Sequence, residues 1–231
     1  FKSEAESAWI VKRLLELGVD TLLVSISPFH NEFIPFKKVK GVIKLCDSMG
    51  MNVFPWLGEF YSEMNSLDTA VTHSLEEYES VFGKGSTRKL EQRYHLTMKG
   101  RALKTFAEYH ERVSLKELLC DYAVMPCSEL LNVSHFHVDC HCNYIPPQCT
   151  GLSVAVHDLD KELSPEDYPF ITLLYEKGIT ALYRLAVEKY GYVPERDAYV
   201  SKCELCTEIR EFLVNTKGLR TKDLAPVEFY M

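Results

Sequence analysis

Thr21-Leu22-Leu23-Val24-Ser25-Ile26-Ser27 and Met51-Asn52-Val53-Phe54-Pro55-Trp56 are the two stretches whose reading decides the fold. Each is a short apolar run rich in strand formers, as expected of a strand buried on both faces. A helical spacing of Ala5, Trp9, Ile10, Leu14 and Leu17 precedes the first and stops at Gly18. Val39, Ile43, Cys46 and Met49 mark a second helix between them, stopped by Gly50. Helix, strand, helix, strand with short links is the signature of parallel α/β architecture. The expected fold class is α/β.

Further along the pattern changes. Residues 67–80 and 100–120 read as helices around a polar loop holding Gly83, Gly85 and Gly100. Across Val133 to Ile145 the sequence alternates, with Phe136, Val138, Cys140 and Cys142 on one face and His135, His137, Asp139 and His141 on the other. Residues 165–190 form one or two helices, and 203–214 a last one. A boundary near residue 120 divides a β/α part, 1–120, from a smaller α+β cysteine-bearing part, 121–231.

The chain has 231 residues, 46% of them hydrophobic, and a net charge of −7. That balance argues against a nucleic-acid binder or an anionic-membrane binder. The one positive cluster, Lys84 to Arg101, reads as a solvated loop. Neither a secretory signal nor an apolar run of bilayer length is visible, so the expected location is the cytoplasm. Eight cysteines in a reducing compartment point to metal or redox chemistry rather than disulfides.

Cys203 and Cys206 form a CxxC pair at a helix start, where one turn aims two sulfurs at one metal and the helix N-terminus favours thiolates. Cys127 follows Met125-Pro126, and Cys149 follows Ile145-Pro146-Pro147-Gln148, a rigid turn. Together these four make a four-thiolate set suited to zinc or an iron–sulfur cluster. Cys140 and Cys142 could replace one of them or pack in the core. Cys46, on an apolar helix face, and Cys120, at a helix end, read as small core residues. The His135, His137, Asp139 and His141 stripe reads as a metal or proton-transfer face, or as an ordinary polar sheet face. Ser27 to Glu32, after the first strand, is a candidate active-site edge, because parallel folds bind ligands at strand carboxyl ends; it also fits a plain strand-to-helix link. Trp9 and Trp56 read as core. No GxGxxG, GxxxxGK[ST], HExxH or GxSxG occurs.

Three stretches together resemble radical S-adenosylmethionine proteins with a SPASM- or twitch-type auxiliary-cluster region. Val24 to Trp56 looks like a middle β/α unit of their partial barrel. His135 to Leu152 (HFHVDCHCNYIPPQCTGL) looks like the segment where they read HFHVD, a Gly-Asn turn and a ligand cysteine. Lys202 to Arg210 (KCELCTEIR) resembles their final CxxC helix. The sequence departs from the family in lacking the CxxxCxxC that binds the catalytic cluster, which implies that the first β/α units lie outside this chain. Cys142 stands where the family carries glycine, and Cys140 where an apolar residue is usual.

The resemblance implies that Cys127, Cys149, Cys203 and Cys206 hold an auxiliary [4Fe–4S] cluster, and that the parent enzyme cleaves S-adenosylmethionine to a radical acting on a peptide or small-molecule substrate. Without the triplet, this chain alone is not expected to cleave S-adenosylmethionine. The alternative is a non-catalytic α/β domain with a structural four-cysteine zinc site.

Overall fold

The computed structural model describes residues 3–231 apart from 84, 87, 88, 90, 91, 94, 95, 97, 133–136, 147 and 148. It is a mixed α and β structure that divides into two compact units, Phe1–His95 and Leu96–Met231. Residues 96–120 therefore belong with the cysteine-bearing unit, which is the larger of the two. No helix among the described residues is long and apolar enough to cross a membrane.

In the first unit, α1 (Glu4–Glu16) starts at Ser3, whose hydroxyl accepts from the Glu6 amide at 3.1 Å. Strand β1 (Thr21–Ser25) follows, then the short α2 (Pro28–Asn31), α3 (Phe36–Met49) and β2 (Asn52–Trp56). The two strands pair in parallel, Leu22 beside Val53 and Leu23 beside Phe54. Their link through α3 is the βαβ crossover that the alternating pattern implied. Val11 and Cys46 are fully buried beside Leu22 and Val53, so one sheet face is packed on α1 and α3.

The other face is open: Leu23, Phe54 and Trp56 are 56%, 51% and 45% exposed. This corrects the expectation of strands buried on both faces. Period-2 geometry sends alternate residues to opposite sides, and two strands with helices on one side cover only one of them. Trp56 is thereby exposed rather than core, as is Trp9 on the outer side of α1. Helices α4 (Tyr61–Ser66) and α5 (Leu75–Phe82) bury Met64 and Tyr78 with Ile26, Phe36 and Phe60. The helix expected over 67–80 begins only at Leu75, because the Ser74–Glu77 capping box starts it there.

In the second unit, α6 (Arg101–Phe106) ends well short of the single helix expected over 100–120. Strand β3 (Val113–Ser114) intervenes, pairing with β7 (Ala198–Tyr199), before α7 (Leu115–Asp121) resumes. Cys120, near the end of α7, is exposed and not a core residue. After α8 (Ser128–Leu131), β4 (His137–Val138), β5 (Asn143–Ile145) and β6 (Val154–Ala155) form an antiparallel sheet. Over the described residues 137–145 the alternating stretch is thus a hairpin and not one strand. Asp139 turns the chain, its carboxylate accepting from the His141 and Asn143 amides at 2.9 and 2.8 Å. Cys140 and Cys142 sit exposed in that turn, Cys142 at φ +60°. That is the left-handed region glycine prefers, at the position where the resemblance expects glycine. His137 and His141 are exposed; His135 and Phe136 lie outside the described residues.

The long helix α9 (Pro169–Tyr190) and the final helix α10 (Lys202–Glu211) carry the main core, in which Leu182, Tyr199, Leu205, Ile209 and Leu213 are completely buried. α9 begins against Asp223, whose buried carboxylate accepts from the Phe170 and Ile171 amides at 2.6 and 2.9 Å. This satisfies donors that a helix start leaves orphaned. α10 runs on into a π turn, Phe212–Thr216, and the chain closes with a 3-10 turn, Val227–Tyr230.

Candidate metal centre

Cys127, Cys149, Cys203 and Cys206, the four cysteines singled out by the sequence, line one cavity of about 30 Å³ in the second unit. They come from three separate segments. Cys140 and Cys142 stay in their exposed turn, and Cys46 is sealed in the first unit's core. Each segment has its own positioning device.

Ser201 caps α10, accepting from the Glu204 amide at 3.4 Å, which starts the helix so that Cys203 and Cys206 share a face. The opposite face is pinned by two buried carboxylates that sequence reading passed over. Glu204 meets Arg112 Nη1 at 2.9 Å and Arg196 Nη1 at 2.8 Å. Glu208 accepts from the Tyr199 hydroxyl at 2.9 Å, from the Glu195 amide at 3.0 Å and from the Tyr192 hydroxyl, with Arg196 Nε 3.2 Å away. Burial, with Glu208 beside them, pushes both tyrosines up, Tyr199 to about 12. The available signal was the i, i+4 spacing of Glu204 and Glu208, interleaved with Leu205 and Ile209 on a largely buried helix.

Cys127 is placed by a break in α9. Gly178 adopts φ +73°, ψ −167°, which interrupts the helix. The Leu174 carbonyl, four residues earlier, accepts instead from the Cys127 amide at 2.9 Å. The approach is so close that a Cβ on Gly178 would lie 1.9 Å from the Met125 carbonyl oxygen. Only glycine tolerates both that dihedral pair and that contact. Cys149 sits in a turn, its amide donating to the Pro146 carbonyl at 3.0 Å; Pro147 and Gln148 lie outside the described residues.

Around the sulfurs stand three cations, Lys99, Lys202 and Arg210. Lys202 Nζ lies 3.8 Å from Cys127 Sγ and also donates to Glu129, whose Oε2 is 3.3 Å from the same sulfur. Burial would raise the Glu129 carboxyl, but the Lys202 hydrogen bond overrides it and holds the group at about 2. The Cys149 thiol hydrogen-bonds to Cys127 and, with Lys202, draws Cys127 down to about 7, while the same bond and burial drive Cys149 up. Burial likewise pushes Cys203 to about 12 and raises Cys206. For these two the expected helix-start stabilisation of thiolates is outweighed by desolvation. Among the described residues, no three His, Cys, Asp or Glu side chains stand in the arrangement of a formed metal site.

The candidate active-site edge of the first unit is a helix cap. Ser27 is fully buried, its hydroxyl 2.7 Å from His30 Nδ1, and burial lowers the His30 pKa. Asn31 donates to the Ile34 carbonyl at 3.0 Å and accepts from the buried Tyr78 hydroxyl at 2.8 Å. These bonds fix the loop between β1 and α3.

Comparison with protein-family models, with curated proteins and with solved structures returns no match to this chain, so its site is read from its own residues.

Proposed function

We propose that the Leu96–Met231 unit ligates a metal centre through Cys127, Cys149, Cys203 and Cys206, and that the centre is an auxiliary [4Fe–4S] cluster of a radical S-adenosylmethionine enzyme. The observation that carries the ligand set is the convergence of four cysteines from three segments on one cavity. The donor chemistry fits. Four thiolates and Glu129 set against Lys99, Lys202 and Arg210 leave two negative charges in excess, the complement of a centre of charge 2+. A metal cation also supplies the favourable interaction that buried thiols otherwise lack, since ligation requires deprotonated sulfur.

The iron–sulfur assignment rests on the resemblance of Val24–Trp56, His135–Leu152 and Lys202–Arg210 to that family. In this reading β1, α3 and β2 are one β/α unit of a partial barrel that helps to surround a peptide or small-molecule substrate. When bound, an auxiliary cluster supplies a substrate-binding site or a route for an electron. The chain's own part is to hold the thiolates, through the Ser201 cap, the Gly178 break and the Pro146 turn, and to balance their charge. Eight free thiols fit a reducing, cytoplasmic setting.

A second reading, a structural four-cysteine zinc site, is favoured by the small cavity, which suits a single ion with sulfurs close together. Iron, sulfide and zinc analysis of protein purified and reconstituted without oxygen separates the two. About four irons and four sulfides per chain supports the first; one tightly held zinc without sulfide supports the second. Full metal occupancy in the Cys203→Ser/Cys206→Ser double variant would remove both.

A further inference from the structure

Arg210 is the least expected residue of the site. It is only 3% exposed, and it sits one helical turn beyond Cys206 on the same helix, lining the cysteine cavity. Its guanidinium is locked by fixed acceptors. Nε donates to the Cys206 carbonyl at 3.2 Å, Nη2 to Thr207 Oγ1 at 3.2 Å, and Nη1 to the Thr150 carbonyl at 3.0 Å and the Tyr230 hydroxyl at 2.8 Å. Tyr230 in turn donates to the Gly151 carbonyl. Gly151 is packed so tightly that a Cβ there would lie 2.4 Å from the Phe229 ring and 2.7 Å from Arg210 Nη1. The chain end, the Cys149 turn and the CxxC helix are therefore tied together through one guanidinium.

What this cation lacks is a carboxylate. Among the described residues no Asp or Glu forms an ion pair with it, and its hydrogen bonds go to two carbonyls and two hydroxyls. A buried charge without a counter-charge is strongly unfavourable. The groups that could balance it are the sulfurs: Arg210 lines the same small cavity as Cys127, Cys149, Cys203 and Cys206. Lys202 stands beside Cys127, but Lys202 is also neutralised by Glu129. Arg210 is not neutralised by any carboxylate among the described residues, so its charge is left for whatever the cysteine cavity holds.

We propose that Arg210 is a positioning residue of the thiolate centre: held by Thr150, Thr207 and Tyr230, it fixes a positive charge at the cavity that the four cysteines line, which strengthens metal binding by the sulfurs and raises the reduction potential of a bound cluster. The inference rests on the four-cysteine ligand set proposed above. A fixed positive charge beside a metal–thiolate group favours the state carrying more negative charge, and groups of this kind change metal affinity by roughly 10- to 100-fold.

The test compares wild type, Arg210→Met, Arg210→Lys and Tyr230→Phe. Metal affinity is read by competition with a chelator, which works for zinc or iron, and for an iron-loaded protein the midpoint potential is read by spectroelectrochemical titration. Arg210→Met is expected to lose about 10- to 100-fold in affinity and to shift the midpoint downward. Arg210→Lys, which keeps the charge, should recover most of the loss, and Tyr230→Phe should show a smaller change in the same direction. Wild-type affinity in Arg210→Met overturns the role, as does failure of Arg210→Lys to recover any of it. Should Arg210→Met not fold, unchanged affinity in Tyr230→Phe overturns the proposal. A wild-type protein that binds no metal at all sinks the proposed function itself, a different result from metal-loaded wild type with indifferent variants.

Discussion

Replacing Gly178 by alanine tests how the site is assembled. The new Cβ would stand 1.9 Å from the Met125 oxygen and 3.0 Å from its carbonyl carbon, whereas ordinary contacts begin at 3.4 Å. The 123–127 loop would have to retreat by about 1.5 Å, or α9 would have to change its path. Alanine at φ +73°, ψ −167° adds strain of about 1–3 kcal/mol. Loss of the Cys127 amide bond to Leu174, now 2.9 Å, adds about 1 kcal/mol. The expected destabilisation of the metal-free protein is therefore ~2–4 kcal/mol. Because the displaced loop carries Cys127, metal affinity should fall by more than stability alone accounts for. Denaturant unfolding gives the first quantity and chelator competition the second. Stability within about 0.5 kcal/mol of wild type, the limit for a neutral surface change, together with undiminished metal affinity, would refute the claim that this glycine places the ligand.

Three further outcomes are expected. Asp223→Ala strips the buried cap from the Phe170 and Ile171 amides and should cost about 2–4 kcal/mol in denaturant unfolding; Asp223→Asn, which keeps an acceptor, should lose less, and equal losses would contradict the capping role. Cys142→Gly removes a non-glycine residue from φ +60°. The relief of up to about 1 kcal/mol is reduced by glycine's greater freedom in the unfolded chain, so a clear loss of stability would count against a strained turn. Asp158 is held below its ordinary 3.8 by Lys161 and then Tyr168, with Lys222 also in contact. A depressed acid contributes stability that is present above its unfolded pKa and lost as pH falls through the folded value. Asp158→Asn should accordingly be less stable than wild type at neutral pH, with the gap closing as pH drops below about 4; a gap that widens in acid would reverse the assignment.

Much of this molecule is legible in its sequence. Helix α1, helix α3 and the two strands between and after them follow from apolar periodicity and glycine stops, because local backbone preference and side-chain alternation act within a few residues. The CxxC at a helix start was equally local. The choice of Cys127 and Cys149 as its companions draws on Pro126 before the one, on the Pro146-Pro147-Gln148 turn before the other, and on resemblance. What local pattern misjudged was burial. Leu23, Phe54 and Trp56 read as interior, yet they lie on an uncovered sheet face. The Asp139 turn, set by side-chain hydrogen bonds, folded an alternating stretch into a hairpin.

Sequence by itself determined which residues are chemically able to form a thiolate centre, since thiol chemistry belongs to the cysteine wherever it sits. Tertiary structure alone decided the rest. Gly178 became a docking point only when the Met125 carbonyl closed on it, Glu204 and Glu208 became clamps only when Arg112 and Arg196 met them, and Arg210 became a buried cation only when Tyr230 closed on it. Each of these depends on a partner that is distant in sequence or brought close only by folding, and the energy of a charge or a close contact depends on that distance.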